Sequence, residues 1–418
     1  MRWADITRTI RKPVLWLALG MCFAQSALAT PFPQPKALQP DVDFWVRVYS
    51  ELDTRQGVIH DARKLGIVYE KVTDLPAETT DARREVVLSR VHAVRDRLLR
   101  LSLTGATPND AEDRRLLKIL NHPGHAQLRA AAENVRFQSG QADRFRQGLE
   151  RASAWRPQIE QMFVAAGLPI ELASLPHVES SFDPEAYSKV GAAGLWQLMR
   201  ATGRLYIRVD DHIDERFDPM TSTTAAIAYF REAHDALGSW PLAVVSYNSG
   251  VNGMKNAKRK LGTSDIVSVV RHYRTPAFRF ASRNFYPSFL AALEVERRAD
   301  ELFGSLQQVS NWQTCKTALL VDVPVATIAA TTGFPLEQLK IFNPALRSSV
   351  WSGVRAVPAG YALRLPFEAV ATPKPVTWIA WDDWRAEHSA TQPAVLQTAG
   401  LQSERSCGKT AAPVVAAM

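Results

Sequence analysis

The stretch that decides the fold runs from Gly167 to Met199 and reads GLPIELASLPHVESSFDPEAYSKVGAAGLWQLM. An apolar, helix-compatible run leads through Pro176 to a single acid, Glu179. A patch of small residues follows at 191–194, and the polar Gln197 then stands among apolar neighbours. This order predicts a short helix that ends in an acid and faces a groove, next to a tight turn of small residues.

Glu179 is a candidate general acid. Val178 and Phe182 flank it, and loss of hydration in such surroundings raises the pKa of a carboxyl group. A glutamic acid that stays protonated near neutral pH can donate its proton to a leaving oxygen. The structural alternative is a partly buried glutamate that caps a helix end or pairs with Lys189 or Arg200.

Three segments in this order resemble the signature motifs of the soluble-lytic-transglycosylase (SLT) family, in particular its membrane-bound D type. They are Glu179-Ser180-Ser181-Phe182, Gly191-Ala192-Ala193-Gly194-Leu195-Trp196-Gln197 and Ser246-Tyr247-Asn248-Ser249-Gly250. The likeness runs from about residue 44 to 366. It implies a mainly α protein with a goose-type-lysozyme-like catalytic domain.

The resemblance also implies an activity, the non-hydrolytic cleavage of the MurNAc–GlcNAc β-1,4 bond of peptidoglycan to give 1,6-anhydro-MurNAc ends. Glu179 would act first as acid and then as base, since the substrate supplies its own nucleophile. Two alternatives remain open at this point. One is a hydrolytic lysozyme that uses Asp183 or another acid with water, and the other is a non-catalytic peptidoglycan-binding scaffold. Asp183 precedes Pro184 and is better interpreted as a turn residue.

The family likeness extends to the residues that would bind the sugar, although each also has a structural reading as a cap, turn or core residue. These candidates are Ser180, Gln197, Met199, Tyr247, Asn248 and Tyr286. The last is a substitute, because Phe285 stands where the family usually has a tyrosine after asparagine. A shift of one residue on a helix turns the side chain by about 100°.

The order of segments predicts five regions along the chain. They are a signal peptide at 1–29, a helical pre-domain at 30–144 with a Pro-rich start, the SLT catalytic domain at 145–304, a small module at 319–366 and a partly disordered tail at 367–418. The small module resembles a divergent LysM unit of the βααβ type, although its usual Gly-Asp-Thr is absent. Glycan binding and a purely structural cap are both open for it.

The first 29 residues have the basic start, apolar centre and small-residue cleavage site of an export signal. We therefore expect an exported protein, periplasmic or associated with the cell envelope. Cleavage after Ala29 is favoured over a lipid anchor at Cys22, because Met21 precedes that cysteine. After cleavage, Cys315 and Cys407 could form a disulfide or stay unpaired.

Composition restricts the class of partner. The chain is 46% hydrophobic, enough for sizeable cores, and its net charge of +8 suits an anionic polymer such as peptidoglycan. We expect no nucleic-acid partner, since the chain has no dense basic run, and no cofactor. The aspartates at 210–218 lack the order of an EF-hand loop, so no metal is expected. Cell-wall synthesis or division proteins and the membrane are further candidate partners.

Overall fold

The computed structural model describes residues 30–76, 79–309 and 314–366 and is mainly helical, as the sequence predicts. The helices are α1 Gln39–Ser50, α2 Thr80–Leu103, α3 Ala111–Ile119, α4 His125–Glu133, α5 Ala142–Ala165, α6 Leu175–Glu179, α7 Arg200–Gly203, α8 Pro219–Leu237, α9 Trp240–Ser249, α10 Val251–Leu261, α11 Ile266–His272, α12 Phe280–Arg297, α13 Ala299–Phe303, α14 Val325–Thr332, α15 Leu336–Phe342 and α16 Ser348–Trp351. The strands are β1 Gly57–Asp61, β2 Val68–Val72, β3 Val135–Ser139, β4 Thr314–Ala318 and β5 Ala362–Pro366.

A small α+β lobe lies near the amino-terminal end of the described chain. Its antiparallel sheet has the order β2-β1-β3, with Gly57 opposite both Val72 and Ser139. Helices α2 to α4 cover the sheet through a separate apolar core that includes Ile59, Leu98 and Leu116. The lobe also contacts the core of the catalytic domain, because Val58 of β1 and Leu65 are buried in that core.

The helical pre-domain expected at 30–144 also contains strands, of which one interrupts its helical second half. Residues 135–139 form β3 and pair along their whole length with β1. The pairing joins segments that lie far apart in the sequence, so the local helical pattern gives no sign of it. Tertiary pairing overrides local propensity here.

Helix α1 belongs to the core of the catalytic domain, although the sequence places it in the pre-domain. Phe44, Val48 and Tyr49 are buried in the same apolar cluster as Phe145 of α5 and Phe289 of α12. The pre-domain and the catalytic domain therefore share one core on this side. Whether 144 is a true domain boundary stays a prediction.

The Pro-rich start packs on the catalytic domain. The ring of Phe32 lies 5.0 Å from that of Phe289 in an edge-on arrangement, and Phe32 is only 7% exposed. The carbonyl of Pro33 accepts a hydrogen bond of 2.7 Å from the Tyr286 hydroxyl. The Pro-rich start is therefore a packed segment of the helical core.

The small module has the strands and helices of the expected βααβ order, but its first strand precedes the predicted start at 319 and a short third helix is added. β4 pairs antiparallel with β5, and α14, α15 and the short α16 lie between them in the chain. The module contacts the catalytic domain through Ile213, which is buried in the module's own core. The Asp214 amide donates to the Ala345 carbonyl at 2.7 Å. A relationship to LysM stays a prediction.

Among the described helices, none combines the length and the apolar character that crossing a bilayer requires. Residues 1–29, which carry the predicted signal and Cys22, lie outside the described residues, and so does Cys407.

Candidate active site

Glu179 is the last residue of α6, as the sequence predicts. Leu175, Pro176 and His177 of this helix are buried, which fixes the helix in the core, while Glu179 is half-buried. The chain turns directly after the acid, and the Ser180 amide donates to the Pro176 carbonyl at 3.0 Å. The helix therefore ends at the edge of the core with its acid at the surface of that core.

The environment of the Glu179 carboxyl favours its neutral form. Within the part of the chain that the structure describes, it makes no hydrogen bond or ion pair, and neither Lys189 nor Arg200 pairs with it. Burial alone raises the pKa of Glu179 from 4.5 to about 8. A carboxyl group with this pKa is mostly protonated at pH 7 and can serve as a proton donor.

The turn after Glu179 has a strained backbone. Ser181 and Phe182 both adopt left-handed conformations, with φ of 54°, and this region is unfavourable for a bulky side chain. The surrounding structure holds the turn: Arg151 donates to the Ser181 carbonyl at 2.6 Å, and the buried Phe182 ring lies 4.4 Å from that of His177. Strain of this kind collects at functional sites, because packing elsewhere supports it.

Ser180 links this turn to the small-residue loop. Its hydroxyl donates to the Leu195 carbonyl at 2.8 Å. Gly194 is required in that loop, since its φ is 74° and a Cβ atom there would lie 1.8 Å from the Arg216 carbonyl oxygen. The tight turn that the small residues predict is present at Gly194, where the absence of a side chain also lets the backbone of residue 216 approach closely.

Arg216 supports this loop from a later segment of the chain, and the sequence did not mark it as a site residue. It is only 2% exposed and donates to the carbonyls of Gly191 at 2.7 Å and Leu198 at 2.9 Å. Its Nη2 pairs with Asp214 at 2.7 Å. The aspartate-rich segment at 210–218 thus supplies a buried ion pair that holds the loop. No local pattern marks a buried arginine of this kind.

Gln197 and Met199 lie at the far end of the same loop. Gln197 has φ of 47°, and its side-chain amide donates to the carbonyls of Ala186 and Gly194 at 3.1 and 3.0 Å. Its side-chain oxygen is therefore the part that could accept a hydrogen bond from a sugar. Met199 is 44% exposed, so it forms part of the surface and not of the core.

Tyr247 and Asn248 reach the site from the end of α9. The Tyr247 hydroxyl donates to the Trp196 carbonyl at 2.7 Å, which ties α9 to the loop. Burial, with a smaller contribution from the charge of Glu179, raises the pKa of Tyr247. Asn248 is exposed, and its side-chain oxygen accepts a bond of 2.7 Å from Ser282.

Tyr286 does not join these residues in the structure. It is fully buried, and its hydroxyl is engaged by Pro33, while Phe285 is 5% exposed. Another hydroxyl, that of Tyr49 on α1, lies close enough to Glu179 to feel its charge: burial mainly, and Glu179 in addition, raise the pKa of Tyr49. No sequence pattern marks Tyr49, because α1 precedes the motifs by more than a hundred residues.

The assembled site contains an acid whose neutral form is favoured, and two tyrosine hydroxyls, of Tyr49 and Tyr247, that respond to its charge. The amide side chains of Gln197 and Asn248 and the exposed thioether of Met199 are the other candidate groups. Asp183 is occupied locally, since its carboxylate accepts a bond of 2.9 Å from the Glu185 amide. This arrangement suits donation of a proton to a bound leaving group.

Comparison with known proteins finds a matching domain family and similar proteins. Residues 160–269 match the model of the transglycosylase SLT domain family. The membrane-bound lytic murein transglycosylase D of Escherichia coli (strain K12) is 30% identical over 189 residues, which cover 44% of this chain and 40% of that protein. The alignment thus spans about two fifths of the relative's length.

Two further relatives are similar over shorter stretches. A putative tributyltin chloride resistance protein of Alteromonas sp. (strain M-1) is 33% identical over 138 residues, which are 29% of this chain and 67% of the relative. The membrane-bound lytic murein transglycosylase F of Maricaulis maris (strain MCS10) is 33% identical over 116 residues, 25% of this chain and 24% of the relative. The match of the domain model, together with these similarities and the helical architecture, shows that the chain belongs to the transglycosylase SLT domain family.

Proposed function

We propose that this protein is a peptidoglycan lytic transglycosylase that cleaves the bond between MurNAc and GlcNAc without water. The observation that carries the proposal is the raised pKa of Glu179, for which burial is the sole cause. A second carboxylate at the 5–10 Å typical of hydrolytic glycosidases would also act on this pKa. Among the described residues none does so, which supports a mechanism with one acid.

In this mechanism the neutral Glu179 protonates the glycosidic oxygen as the bond from that oxygen to the anomeric carbon of MurNAc breaks. The carbon-6 hydroxyl of the same sugar then forms a bond to the anomeric carbon, and its proton passes to the Glu179 carboxylate. The acid is regenerated and no water is consumed. An intramolecular nucleophile also avoids the entropy cost of positioning a separate molecule.

The neighbours of Glu179 would bind and orient the sugars. Tyr247 presents a ring that is fixed by its bond to the Trp196 carbonyl. Asn248 and the free side-chain oxygen of Gln197 offer hydrogen bonds that suit acetamido groups. Met199 supplies exposed apolar surface. Ser180 acts indirectly, because its hydroxyl holds the turn after Glu179 against Leu195.

A place in the cell envelope fits this substrate. Two of the relatives are named as membrane-bound lytic murein transglycosylases. We propose that the chain is exported through its first 29 residues and acts on the glycan strands of the wall. Association with the membrane or with proteins of wall synthesis or division is part of the same proposal.

The test is mass spectrometry of the fragments released from purified sacculi by the wild type, Glu179→Gln and Asp183→Asn. We expect the wild type and Asp183→Asn to release products lighter by one water than hydrolysed sugars, and Glu179→Gln to release none. Both substitutions exchange a carboxyl for an amide, so Asp183→Asn is the matched control.

Two other outcomes would replace the proposal. Products of hydrolytic mass that disappear with Asp183→Asn would identify a lysozyme with two carboxylates. Sedimentation of the wild-type protein with sacculi, without release of any fragment, would identify a wall-binding scaffold.

A further inference from the structure

Four arginines surround an open pocket of about 530 Å³ that contains none of the candidate groove residues. Arg63 follows β1, Arg274 follows α11, and Arg279 and Arg283 lie at the start of α12. The remaining wall is formed by residues 275–276 and by two aromatic side chains at 278 and 280. A pocket with this lining presents several cationic donors and an apolar surface.

The four arginines have no carboxylate partner among the described residues. Arg283 donates to the Ala62 carbonyl, Arg274 to its neighbours' carbonyls and Arg279 to the Pro276 carbonyl at 2.8 Å. Asp41 attracts Arg283 through its charge, but it forms its ion pair with Arg271. The donors of the four guanidinium groups are thus only partly used, and none of the four charges has an ion pair of its own among the described residues.

This arrangement is unfavourable in the absence of an anion. Arg283 is only 8% exposed, and burial together with the positive charges of Arg63 and Arg274 lowers its pKa to about 10. Arg136 adds a further cation 4.1 Å from the centre of the Phe280 ring. A buried cation without a paired anion is costly. An anion in the pocket would relieve the repulsion and accept bidentate hydrogen bonds from the guanidinium groups.

The position of the pocket relates it to the glycan groove. Ser282 stands directly before Arg283 on α12, and its hydroxyl donates to the side-chain oxygen of Asn248 at 2.7 Å. Arg279 lies one helical turn before Arg283. On α12, Arg283 of the pocket is therefore the next residue after Ser282, which contacts the candidate groove residue Asn248.

We propose that this arginine pocket binds the carboxylates of the peptide stems that project from the glycan strand in the groove. The inference rests on the proposed function. A stem is attached to the muramic acid itself, and three extended residues span about 10 Å, so a stem on a bound sugar can reach a neighbouring pocket. Its several carboxylates match several arginines, and Phe280 offers a surface for the aliphatic part of the stem.

The test compares two substrates and two triple variants. Arg63→Gln/Arg274→Gln/Arg279→Gln removes three exposed arginines of the pocket. The control, Arg84→Gln/Arg129→Gln/Arg144→Gln, removes three exposed arginines elsewhere with the same loss of charge. Release of products is measured from stem-bearing sacculi and from glycan strands stripped of peptide by an amidase.

We expect the pocket variant to lose roughly tenfold to hundredfold in kcat/KM on stem-bearing sacculi, as the loss of charged hydrogen bonds implies. On stripped strands it should equal the wild type, and the control should equal the wild type on both. An equal loss on both substrates, or no loss on either, would overturn the inference. So would an equal loss in the control.

A binding experiment separates failure of the inference from failure of the proposed function. Calorimetry with a free stem tripeptide needs no turnover, and we expect weak binding by the wild type that the pocket variant lacks. If no protein releases fragments while this binding difference is present, the proposed function fails and the stem site stands. Loss of binding to phosphatidylglycerol vesicles in the pocket variant, with stem binding unchanged, would assign the pocket to phosphate and overturn the inference.

Discussion

The burial of Glu179 should be measurable as a dependence of stability on pH, without any assay of activity. In the folded protein the pKa of this carboxyl is raised from 4.5 to about 8. Between these pH values the unfolded chain has lost the proton and the folded chain retains it. The unfolded state then binds fewer protons, so the free energy of unfolding decreases as pH rises across this window.

The substitution Glu179→Gln removes this cost, because glutamine does not titrate. The difference in the free energy of unfolding between variant and wild type should grow by about 1.4 kcal/mol for each pH unit above 4.5, the pKa in the unfolded chain. It should level off near pH 8, the pKa in the folded protein. The whole interval corresponds to about 5 kcal/mol, an upper bound because water partly screens a half-buried carboxyl. The variant should therefore be the more stable protein at alkaline pH.

Urea unfolding of both proteins at a series of pH values from about 5 to about 9 measures this difference. Glu185→Gln removes an exposed carboxyl from the same segment and is the matched control for the loss of one negative charge. A difference between Glu179→Gln and the wild type that stays constant across the series would refute the reasoning. In that case burial would not keep Glu179 neutral, and its role as the acid would lose its physical basis.

Two further substitutions test the supports of the site. Gly194→Ala should lower the free energy of unfolding in urea by at least about 3 kcal/mol, because it combines a positive φ with a clash against the backbone. The control Gly253→Ala in α10 should stabilise the protein by about 0.5–1 kcal/mol. Equal effects of the two substitutions would contradict the geometry. Arg364→Gln leaves Asp218 buried without its ion-pair partner, so thermal or urea unfolding should show a loss of about 3–5 kcal/mol. Arg355 pairs with Asp211 at the surface, so Arg355→Gln should change stability by less than about 1 kcal/mol. A similar loss in both variants would exclude the buried pair as the cause.

The candidate site was predictable where its residues are close in sequence. Glu179 lies at the end of a helix because a run of apolar residues through Pro176 must be buried and the chain must then turn. The need for glycine at 194 could also be anticipated from the small-residue patch. Asp218 caps α8 by accepting from the Thr221 amide at 2.8 Å, as the Asp-Pro pair predicts.

Contributions from distant segments could not be predicted in this way. Arg216 is buried under the small-residue loop, and Tyr49 comes from α1, in the expected pre-domain. The substitute tyrosine at 286 turns towards the amino-terminal segment, where Pro33 accepts its hydrogen bond. Each of these depends on which surfaces meet, and periodicity within one segment does not contain that information.

The sequence by itself determined the helical class and short-range boundaries such as the end of α8 before Gly238, because propensity, capping and hydrophobic period act within a few residues. It also singled out Glu179 as the candidate acid. Only the tertiary structure decided the raised pKa of Glu179, since desolvation depends on every segment that excludes water from it. Only the tertiary structure, again, brought Arg63, Arg274 and Arg283 to one pocket. Charges spread over more than two hundred residues repel or attract only after packing has placed them together.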